Sequence, residues 1–407
     1  MASNKSSTLK TGDLVQVTIE KVAHGGHFIA RHDGAVIFVR HAIPGEKCTI
    51  QITSTGSSFN RADVVSVETP SEFRVEAPCR FAHRNGCGGC DFQHISVDHQ
   101  RSLKSDVISE QFSRIAKIDL RVEVEHVGES THWRTRAIAT TDRNGKLGFY
   151  KSRSHSIAPV TDCIICVEGM SFSEIASRDL KGDVRVEISA SNTGERAIAL
   201  APTHGEEKAR LTEGPAVLHE NVLGRTLEVS QESFWQSHKK APEVLTQAVL
   251  EFAQLKVGEH VLDLYGGVGL FTAAIIDSVG PTGHVDLIEG SKVATADAGR
   301  NFAAHSNITI ATGDVAKLLL RITAADVVVL DPPRDGAGKE AVAHIARLAP
   351  RAIVYVACDP AALARDTAYL ADHSYSLVKV RAFDLFPMTH HIECVALYER
   401  AEVSSAL

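Results

Sequence analysis

Long apolar runs are missing from this sequence of 407 residues. No stretch approaches the roughly 18 uninterrupted apolar residues of a membrane span, which argues against a membrane-spanning helix. The segment Met1–Lys10 is polar and has no apolar core, so a secretory signal peptide is not expected. Internal repeats and low-complexity tracts are also missing. These absences predict a cytoplasmic globular protein with no membrane partner.

An overall excess of positive charge is missing as well, because the net charge is −7. The first 160 residues carry 21 Lys and Arg against 17 Asp and Glu, a net charge of +4, whereas the remainder has a net charge of −11. A basic front half permits nucleic-acid binding there without requiring it. Nothing suggests an extended apolar interface, so we expect a monomer.

Short alternating strands separated by glycine turns dominate residues 11–68. The predicted strands and turns are Leu14–Ile19, His24–His27, Ala35–Val39, Pro44–Gly45 and Cys48–Ile52. Such a pattern is typical of a small barrel of the oligonucleotide-binding kind. We therefore assign residues 8–70 to an N-terminal β-barrel.

Helices and strands alternate over residues 240–400, with a helix predicted at Lys292–His305 and the last strands within Phe386–Tyr398. This rhythm indicates an α/β fold in which helices flank a parallel sheet. We assign residues 226–407 to a Rossmann-like domain. Residues 71–225 form a central α+β region with a basic hairpin at Trp133–Arg153.

A strand runs directly into a glycine-rich turn at Val261–Gly269, and Glu289 ends the next strand. Glycines let a ligand approach the backbone at this edge of a sheet, and the acid can accept hydrogen bonds from ribose hydroxyls. The spacing Gly-Gly-x-Gly favours S-adenosylmethionine (SAM) over a dinucleotide, which stays open on this motif alone. Acids follow the next two strands at Asp314 and in Asp331-Pro-Pro-Arg334.

A cysteine and a buried carboxylate supply candidate chemistry near the end of the chain. The strand Val354–Ala357 delivers Cys358, and Asp359-Pro360 then breaks the strand and exposes the thiol. Glu393 lies between apolar residues, where burial raises a carboxyl pKa towards that of a base. A thiolate that adds to C6 of uracil makes C5 nucleophilic towards the SAM methyl, and a base then removes the C5 proton. We assign Cys394 to the core.

These motifs resemble the RNA uracil-C5-methyltransferase family, which contains iron–sulfur 23S ribosomal RNA enzymes and a transfer RNA enzyme. The N-terminal barrel resembles a TRAM domain, which binds RNA. Further shared motifs are Phe234–His238 and Thr389–Glu393. The resemblance implies Cys358 as nucleophile and Glu393 as base. It also implies a set of SAM-binding residues, namely Gln236, Tyr265, Gly267, Gly269, Glu289, Asp314 and Asp331.

The sequence departs from the family pattern at several positions. Gly266 replaces a common cysteine, and Leu270 stands where the family often has asparagine, which removes one polar contact. Asp359 replaces the asparagine that usually follows the nucleophile, so its charge either repels a thiolate or only caps the turn. The end of the Phe-x-Gln motif is Ser237-His238.

Clustered cysteines predict a metal centre. In a reducing compartment, thiols are better metal or catalytic candidates than disulfide partners. Cys79, Cys87 and Cys90 share one glycine-rich loop, and Cys163 and Cys166 follow the basic hairpin. The family resemblance implies a [4Fe–4S] cluster on Cys79, Cys87, Cys90 and Cys163, with Cys166 as an alternative fourth ligand. Zinc and plain reduced thiols are the competing interpretations. A structural or RNA-positioning role is expected.

The substrate stays open between two RNAs. The barrel and the cysteine cluster favour ribosomal RNA over the T-loop of transfer RNA. Residues such as Trp133, Arg136 and Arg153 give the basic hairpin a surface suited to phosphates and unstacked bases. The rival hypotheses are an amino-group methyltransferase, which leaves Cys358 and Glu393 unexplained, and a non-catalytic RNA-binding factor.

Overall fold

The computed structural model describes residues 9–205 and 207–401. Most of the N-terminal segment in which no signal peptide is expected, and the last six residues of the predicted C-terminal domain, lie outside the described residues. Within the described ranges, no helix is long and apolar enough to cross a membrane.

The N-terminal segment folds into a closed five-stranded barrel in the order β1-β2-β3-β5-β4. Its strands are β1 (Leu14–Ala23), β2 (His27–His32), β3 (Ala35–Arg40), β4 (Lys47–Ser54) and β5 (Asn60–Thr69). Alternate residues such as Ile19, Phe28 and Ile37 fill the interior and are almost fully buried. Closure leaves no free strand edge, and the predicted barrel is confirmed.

The central region contains a six-stranded antiparallel sheet and a separate hairpin, β13-β14. Its sheet has the order β12-β11-β10-β7-β8-β9. The elements are α1 (Val97–Gln111), a π-helical turn (Phe112–Ala116), β6 (Val124–His126), β7 (Arg136–Thr141), β8 (Leu147–Tyr150), β9 (Ile157–Pro159), a 3₁₀ turn (Glu168–Met170), α2 (Phe172–Ala176), β10 (Val184–Ala190), β11 (Arg196–Pro202), β12 (Arg210–Glu213), β13 (Val217–Val222) and β14 (Arg225–Ser230).

The C-terminal region is a mixed eight-stranded sheet flanked by helices, in the order β17-β16-β15-β18-β19-β21-β20-β6. The first five strands of this order are parallel, whereas β21 is antiparallel to both neighbours. The elements are α3 (Ala241–Ala253), β15 (His260–Leu264), α4 (Leu270–Val279), β16 (His284–Glu289), α5 (Lys292–Asn301), β17 (Ile308–Thr312), α6 (Val315–Leu319), β18 (Val327–Leu330), α7 (Gly338–Arg347), β19 (Ala352–Ala357), α8 (Pro360–Asp372), β20 (Tyr375–Asp384) and β21 (Glu393–Arg400). The predicted α/β architecture is confirmed.

The first helix and strand after the cysteine loop pack on this C-terminal sheet. Strand β6 pairs in parallel with β20, where Val124 lies opposite Ala382. The Nζ atom of Lys104 in α1 lies 2.6 Å from Oδ1 of Asp384, and both side chains are almost fully buried. Removing either partner would leave an uncompensated buried charge, at a cost of about 3–5 kcal/mol. The cysteine loop is thereby anchored close to the carboxyl edge of the sheet.

Two predicted elements end earlier or start later than expected. Helix α5 ends at Asn301 rather than His305, and the Nδ2 atom of Asn301 donates to the carbonyl oxygens of Glu228 and Val268. Residues 386–392 form a turn rather than a strand. Pro387 has no N–H to donate to a ladder, and the N–H of Met388 donates to the Gln100 side chain at 2.8 Å.

Candidate active site and cysteine centre

Three parallel strands end side by side and place the candidate residues at one edge. Leu330, the last residue of β18, lies opposite Leu264 of β15 and Tyr355 of β19. Tyr265 and Asp331 therefore follow neighbouring strands at the same edge of the sheet. In open parallel sheets this carboxyl edge is where ligands bind.

Cys358 and Glu393 meet across an antiparallel strand pair. Ala357 of β19 lies opposite Cys394 of β21. Because the strands are antiparallel, Cys358, which follows the last residue of β19, and Glu393, the first residue of β21, lie at the same end of this pair, and the charge of Glu393 acts on the thiol. Glu393 is 3% exposed, whereas the thiol of Cys358 is half-buried. The structure therefore brings together the two residues that the sequence pairs as nucleophile and base.

Burial and like charges disfavour the ionised forms of both groups. Burial raises the pKa of the Cys358 thiol to about 12, and the charges of Glu393 and Asp331 add to the shift, while Arg334 opposes it. Burial also raises the pKa of Glu393 well above its ordinary value, and Asp331 adds to that shift. A positive charge beside these groups would reverse the effect.

Asp331 is hydrogen-bonded to another predicted SAM-binding residue. Nε2 of Gln236 donates to Oδ2 of Asp331 at 3.1 Å, and Gln236 is 8% exposed. Burial raises the pKa of Asp331 to about 7, and the charge of Asp263 adds to the shift. The Phe-x-Gln motif thus reaches the acid at the end of β18.

The glycine loop leaves open space above its backbone. Gly267 has a φ of +57°, and a Cβ placed there would meet nothing within 4 Å. A Cβ on Gly269, at φ +95°, would lie 2.2 Å from the Phe302 ring. Oε2 of Glu289 accepts a hydrogen bond from the Gly267 N–H at 3.1 Å. The loop is therefore fixed on one side and accessible on the other, as a bound SAM requires.

Sequence reasoning missed one acid beside this loop. Asp263 is fully buried in β15 and accepts hydrogen bonds from the N–H and Oγ1 of Thr272, at 2.9 and 2.6 Å. Among the described residues its Oδ1 has no hydrogen-bond partner, and burial raises its pKa to about 6. A carboxylate inside the apolar stretch Val261–Leu264 was the available signal.

Departures from the family pattern have local explanations. A Cβ on Gly266 would lie 2.8 Å from Cγ of Leu287, so a larger residue requires a shift of that side chain. Leu270 is 7% exposed and belongs to the apolar core, so its position offers no polar contact.

Asp314, a predicted SAM-binding residue, caps α6 by accepting a hydrogen bond from the Lys317 N–H at 3.0 Å, which leaves its carboxylate at the surface.

Asp359 does cap a helix, as one of its two predicted roles requires. Its Oδ1 accepts hydrogen bonds from the N–H groups of Ala361 and Ala362, both at 2.9 Å, at the start of α8. Its Oδ2 lies 3.0 Å from Nε2 of His24 in the β1–β2 turn of the barrel. These bonds lower the pKa of Asp359 despite the opposing effect of burial.

Four of the clustered cysteines line one small apolar cavity of about 20 Å³, namely Cys79, Cys87, Cys90 and Cys163. Cys166 is 3% exposed and does not line this cavity. A hydrogen bond from the Cys166 thiol lowers the pKa of Cys163 to about 7. Burial raises the pKa of Cys87 to about 11. Within the described ranges, no three of these thiols come within 4.8 Å of one another.

The basic hairpin presents less of its surface than expected. Trp133 is 2% exposed and stacks on His238, and Nη2 of Arg136 pairs with Glu220 at 3.2 Å. The expectation that these two side chains are available to contact RNA is wrong. The Trp133 ring is buried against His238, and the Arg136 guanidinium is paired with Glu220. The segment between β8 and β9 instead lines, together with barrel residues, a cavity of 580 Å³ whose basic lining residues are Arg40, Arg61, Arg84, Lys151 and Arg153.

Two family models match the chain. Residues 9–65 match the TRAM domain, and residues 313–401 match the tRNA (Uracil-5-)-methyltransferase model. The first match coincides with the closed barrel. The second spans Asp314, Asp331, Cys358 and Glu393.

Whole-chain relatives agree with these matches. An uncharacterized RNA methyltransferase of Streptomyces avermitilis is 42% identical over 96% of this chain and 99% of its own length. Another, of Corynebacterium diphtheriae, is 33% identical over 96% of this chain and 97% of its own length. The fold is shared with Pyrococcus abyssi tRNA (uracil-54, C5)-methyltransferase in complex with S-adenosyl-L-homocysteine. That structure has a TM-score of 0.73 and 20% identity over 94% of this chain and 99% of the other. The chain therefore belongs to the family of SAM-dependent RNA uracil-5-methyltransferases.

Proposed function

We propose that this enzyme methylates C5 of a uridine in RNA, with SAM as methyl donor, Cys358 as nucleophile and Glu393 as base. The observation that carries the proposal is that Cys358 and Glu393 lie at the same end of the β19–β21 pair, on the sheet edge that also holds Asp331 and the glycine loop. An amino-group methyltransferase has no use for this pair.

The chemistry follows from the weak nucleophilicity of uracil C5. The Cys358 thiolate adds to C6, which places an enolate on the ring, and C5 then attacks the methyl group of SAM. S-Adenosylhomocysteine leaves with the electron pair of the broken S–CH₃ bond. Glu393 removes the proton from C5, and the C6–S bond breaks to restore the aromatic ring and the thiolate. The uridine must leave its stack to reach the thiol.

The acids around the thiol have a part in this scheme. Burial and the neighbouring acids raise the pKa of both groups, which disfavours the thiolate and the carboxylate in the free site. SAM carries a positive sulfonium, and a cation beside Asp331 stabilises the carboxylate and the thiolate together. Binding of the methyl donor therefore activates the nucleophile.

The predicted SAM-binding residues have suitable positions. Asp331 and Gln236 would lie beside the sulfonium end, and Glu289 would accept bonds from the ribose. Gly267 and Gly269 keep the loop open and tightly turned, and their backbone would face the donor. Tyr265 and Asp314 complete the set on the adenine side.

We further propose that Cys79, Cys87, Cys90 and Cys163 hold a [4Fe–4S] cluster. These four thiols surround one cavity, whereas Cys166 only donates to Cys163. A single zinc ion requires thiols about 4 Å apart, given Zn–S bonds of about 2.3 Å in a tetrahedron. No three of these thiols in the described ranges lie within 4.8 Å of one another, which favours a cluster over a single zinc ion. The centre would stiffen the loop and position RNA.

The proposed substrate is 23S ribosomal RNA. The basic cavity between the barrel and the β8–β9 segment, which also includes Arg84 of the cysteine loop, suits the phosphates of a structured RNA. Transfer RNA is the second candidate, favoured by the description of the model that matches residues 313–401.

The test is incubation of anaerobically purified enzyme with labelled SAM and unmodified 23S ribosomal RNA or transfer RNA, followed by identification of the product nucleoside. We expect 5-methyluridine from the ribosomal RNA. The same nucleoside from transfer RNA alone would move the substrate and keep the chemistry. A methyl group on an exocyclic nitrogen would contradict the proposal.

A further inference from the structure

The barrel touches the loop that carries the nucleophile. His24 lies in the β1–β2 turn, and its Nε2 is 3.0 Å from Oδ2 of Asp359, the residue directly after Cys358. Both side chains are partly exposed, at 38% and 26%. An isolated pair of this kind contributes little to stability. Its position beside the nucleophile gives it another use.

The β1–β2 turn can approach the other segments this closely because two of its residues, Gly25 and Gly26, have no side chains. Gly25 and Gly26 adopt φ values of +84° and +77°. A Cβ on Gly26 would lie 2.1 Å from Oδ2 of Asp91 and 2.8 Å from Nδ1 of His390. Asp91 accepts a hydrogen bond from His390. Three segments therefore meet here: the barrel turn, the cysteine loop and the turn that precedes Glu393.

Asp359 uses both of its oxygens at this junction. Oδ1 holds the first turn of α8 through the N–H groups of Ala361 and Ala362. Oδ2 is left for His24. Since Cys358 connects the end of β19 to this cap, the contacts that fix the Asp359 carboxylate also restrain the backbone that carries the thiol.

We propose that His24 is a positioning residue for methyl transfer, which holds Asp359 and through it the Cys358 loop, so that the RNA-binding barrel completes the catalytic site. The inference rests on the proposed function of Cys358. It gives the barrel a second task beside RNA binding.

The test compares His24→Ala and His24→Gln with the wild-type enzyme in steady-state methylation of RNA. Glutamine retains an N–H donor for Asp359, whereas alanine does not. We expect His24→Ala to lower kcat by about tenfold, because a displacement of about 1 Å in a reacting group can cost up to about a hundredfold. The KM for RNA should change by less than about twofold, since no binding contact is removed. His24→Gln should restore most of kcat.

The matched control is His32→Ala, another barrel histidine beside an acid, with its Nε2 3.6 Å from Asp33 and at the opposite end of β2 from the turn. It should leave kcat and KM unchanged. Equal kcat for His24→Ala and the wild type, or equal impairment of the Ala and Gln variants, would overturn the inference.

A second measurement needs no substrate and separates this inference from the proposed function. Hydrogen–deuterium exchange at the amides of Ala361 and Ala362 should accelerate in His24→Ala and stay slow in His24→Gln and His32→Ala. Unchanged exchange in all variants would overturn the inference even if 5-methyluridine is formed. A wild-type enzyme that forms no 5-methyluridine would contradict the proposed function, and the exchange result would still decide the contact.

Discussion

Two thiols of this molecule, those of Cys358 and Cys163, lie in opposite electrostatic surroundings. Cys358 stands beside buried acids, which with burial raise its pKa to about 12. Cys163 accepts a hydrogen bond from Cys166, and its pKa falls to about 7. The side chain is the same, but burial and the neighbouring acids disfavour the thiolate of Cys358, whereas a hydrogen bond favours the thiolate of Cys163.

The difference indicates what each setting is for. A thiolate is the form that binds metal, so the lowered pKa of Cys163 suits a metal ligand, whereas burial raises the pKa of Cys79, Cys87 and Cys90 in the unliganded protein. A nucleophile that is unreactive in the free enzyme is protected from unwanted alkylation and oxidation, which follow thiolate character. The acids around Cys358 would make its reactivity depend on the methyl donor.

The largest expected effect is that of removing the nucleophile. Cys358→Ala should lower methylation by at least about 10⁴-fold while SAM binding persists, because loss of a covalent nucleophile leaves only binding and positioning. The assay is transfer of labelled methyl to RNA, with SAM binding measured by calorimetry. Cys48→Ala, which removes a buried thiol in the barrel core, is the matched control and should remain active. If Cys358→Ala is active, the thiol of Cys358 is not needed for catalysis, and its surroundings have no catalytic role that distinguishes it from Cys163.

A smaller effect is expected when the base is removed. Glu393→Gln keeps the shape of the side chain but cannot take the C5 proton, so turnover should fall by about 10²–10⁴-fold. Methyl transfer precedes this step, so a methylated RNA should remain bonded to Cys358. Gel electrophoresis under denaturing conditions detects that adduct. Slow turnover with no adduct would place Glu393 elsewhere in the reaction.

SAM affinity should depend on pH through Asp331. Its pKa is raised to about 7, so below that pH the carboxyl is protonated and must lose its proton to pair with the sulfonium. The Kd for SAM should therefore fall by about tenfold between pH 6 and pH 8 and level off above. Asp331→Asn should bind SAM more weakly, with no dependence over this range. A wild-type Kd that is flat with pH would contradict this account of activation.

The smallest effect on the chemical step is expected at the cysteine centre. Cys90→Ser should lose iron and lower the melting temperature, because loss of a bound metal removes the stability linked to it. The kcat at saturating RNA should fall by less than about tenfold, because the centre takes no part in methyl transfer. Metal analysis of the wild-type protein, with about four iron atoms per chain expected for such a cluster, distinguishes it from zinc. Cys166→Ser should retain the iron. Iron lost equally from both variants would reopen the choice of the fourth ligand.

Much of the fold could be predicted from periodicity alone. The glycine turns gave the barrel, and the alternation of apolar strands and helices gave the parallel sheet with Cys358 at its carboxyl edge. These features are local in sequence, so the short periodicities of apolar residues in strands and helices reveal them. The turn at 386–392 was missed because its apolar residues have the composition of a strand, although Pro387 favours a turn.

Contacts between distant segments could not be predicted. The pairing of β6 with β20, the Lys104–Asp384 ion pair and the contact of His24 with Asp359 join residues hundreds of positions apart. No periodicity records such pairs, because each partner alone is an ordinary polar residue. The burial of Trp133 is of the same kind, since the covering side chains come from other elements.

The most direct test of the central claim uses RNA in which the target uridine is replaced by 5-fluorouridine. A base can remove the proton from C5 of uridine but cannot remove fluorine in the same way. Addition of Cys358 and methyl transfer should therefore end in a stable covalent complex. Digestion and mass spectrometry should find the methylated nucleotide on the peptide that contains Cys358, and Cys358→Ala should form no complex. A complex through another residue, or full turnover without a complex, would contradict the assignment of Cys358 as nucleophile.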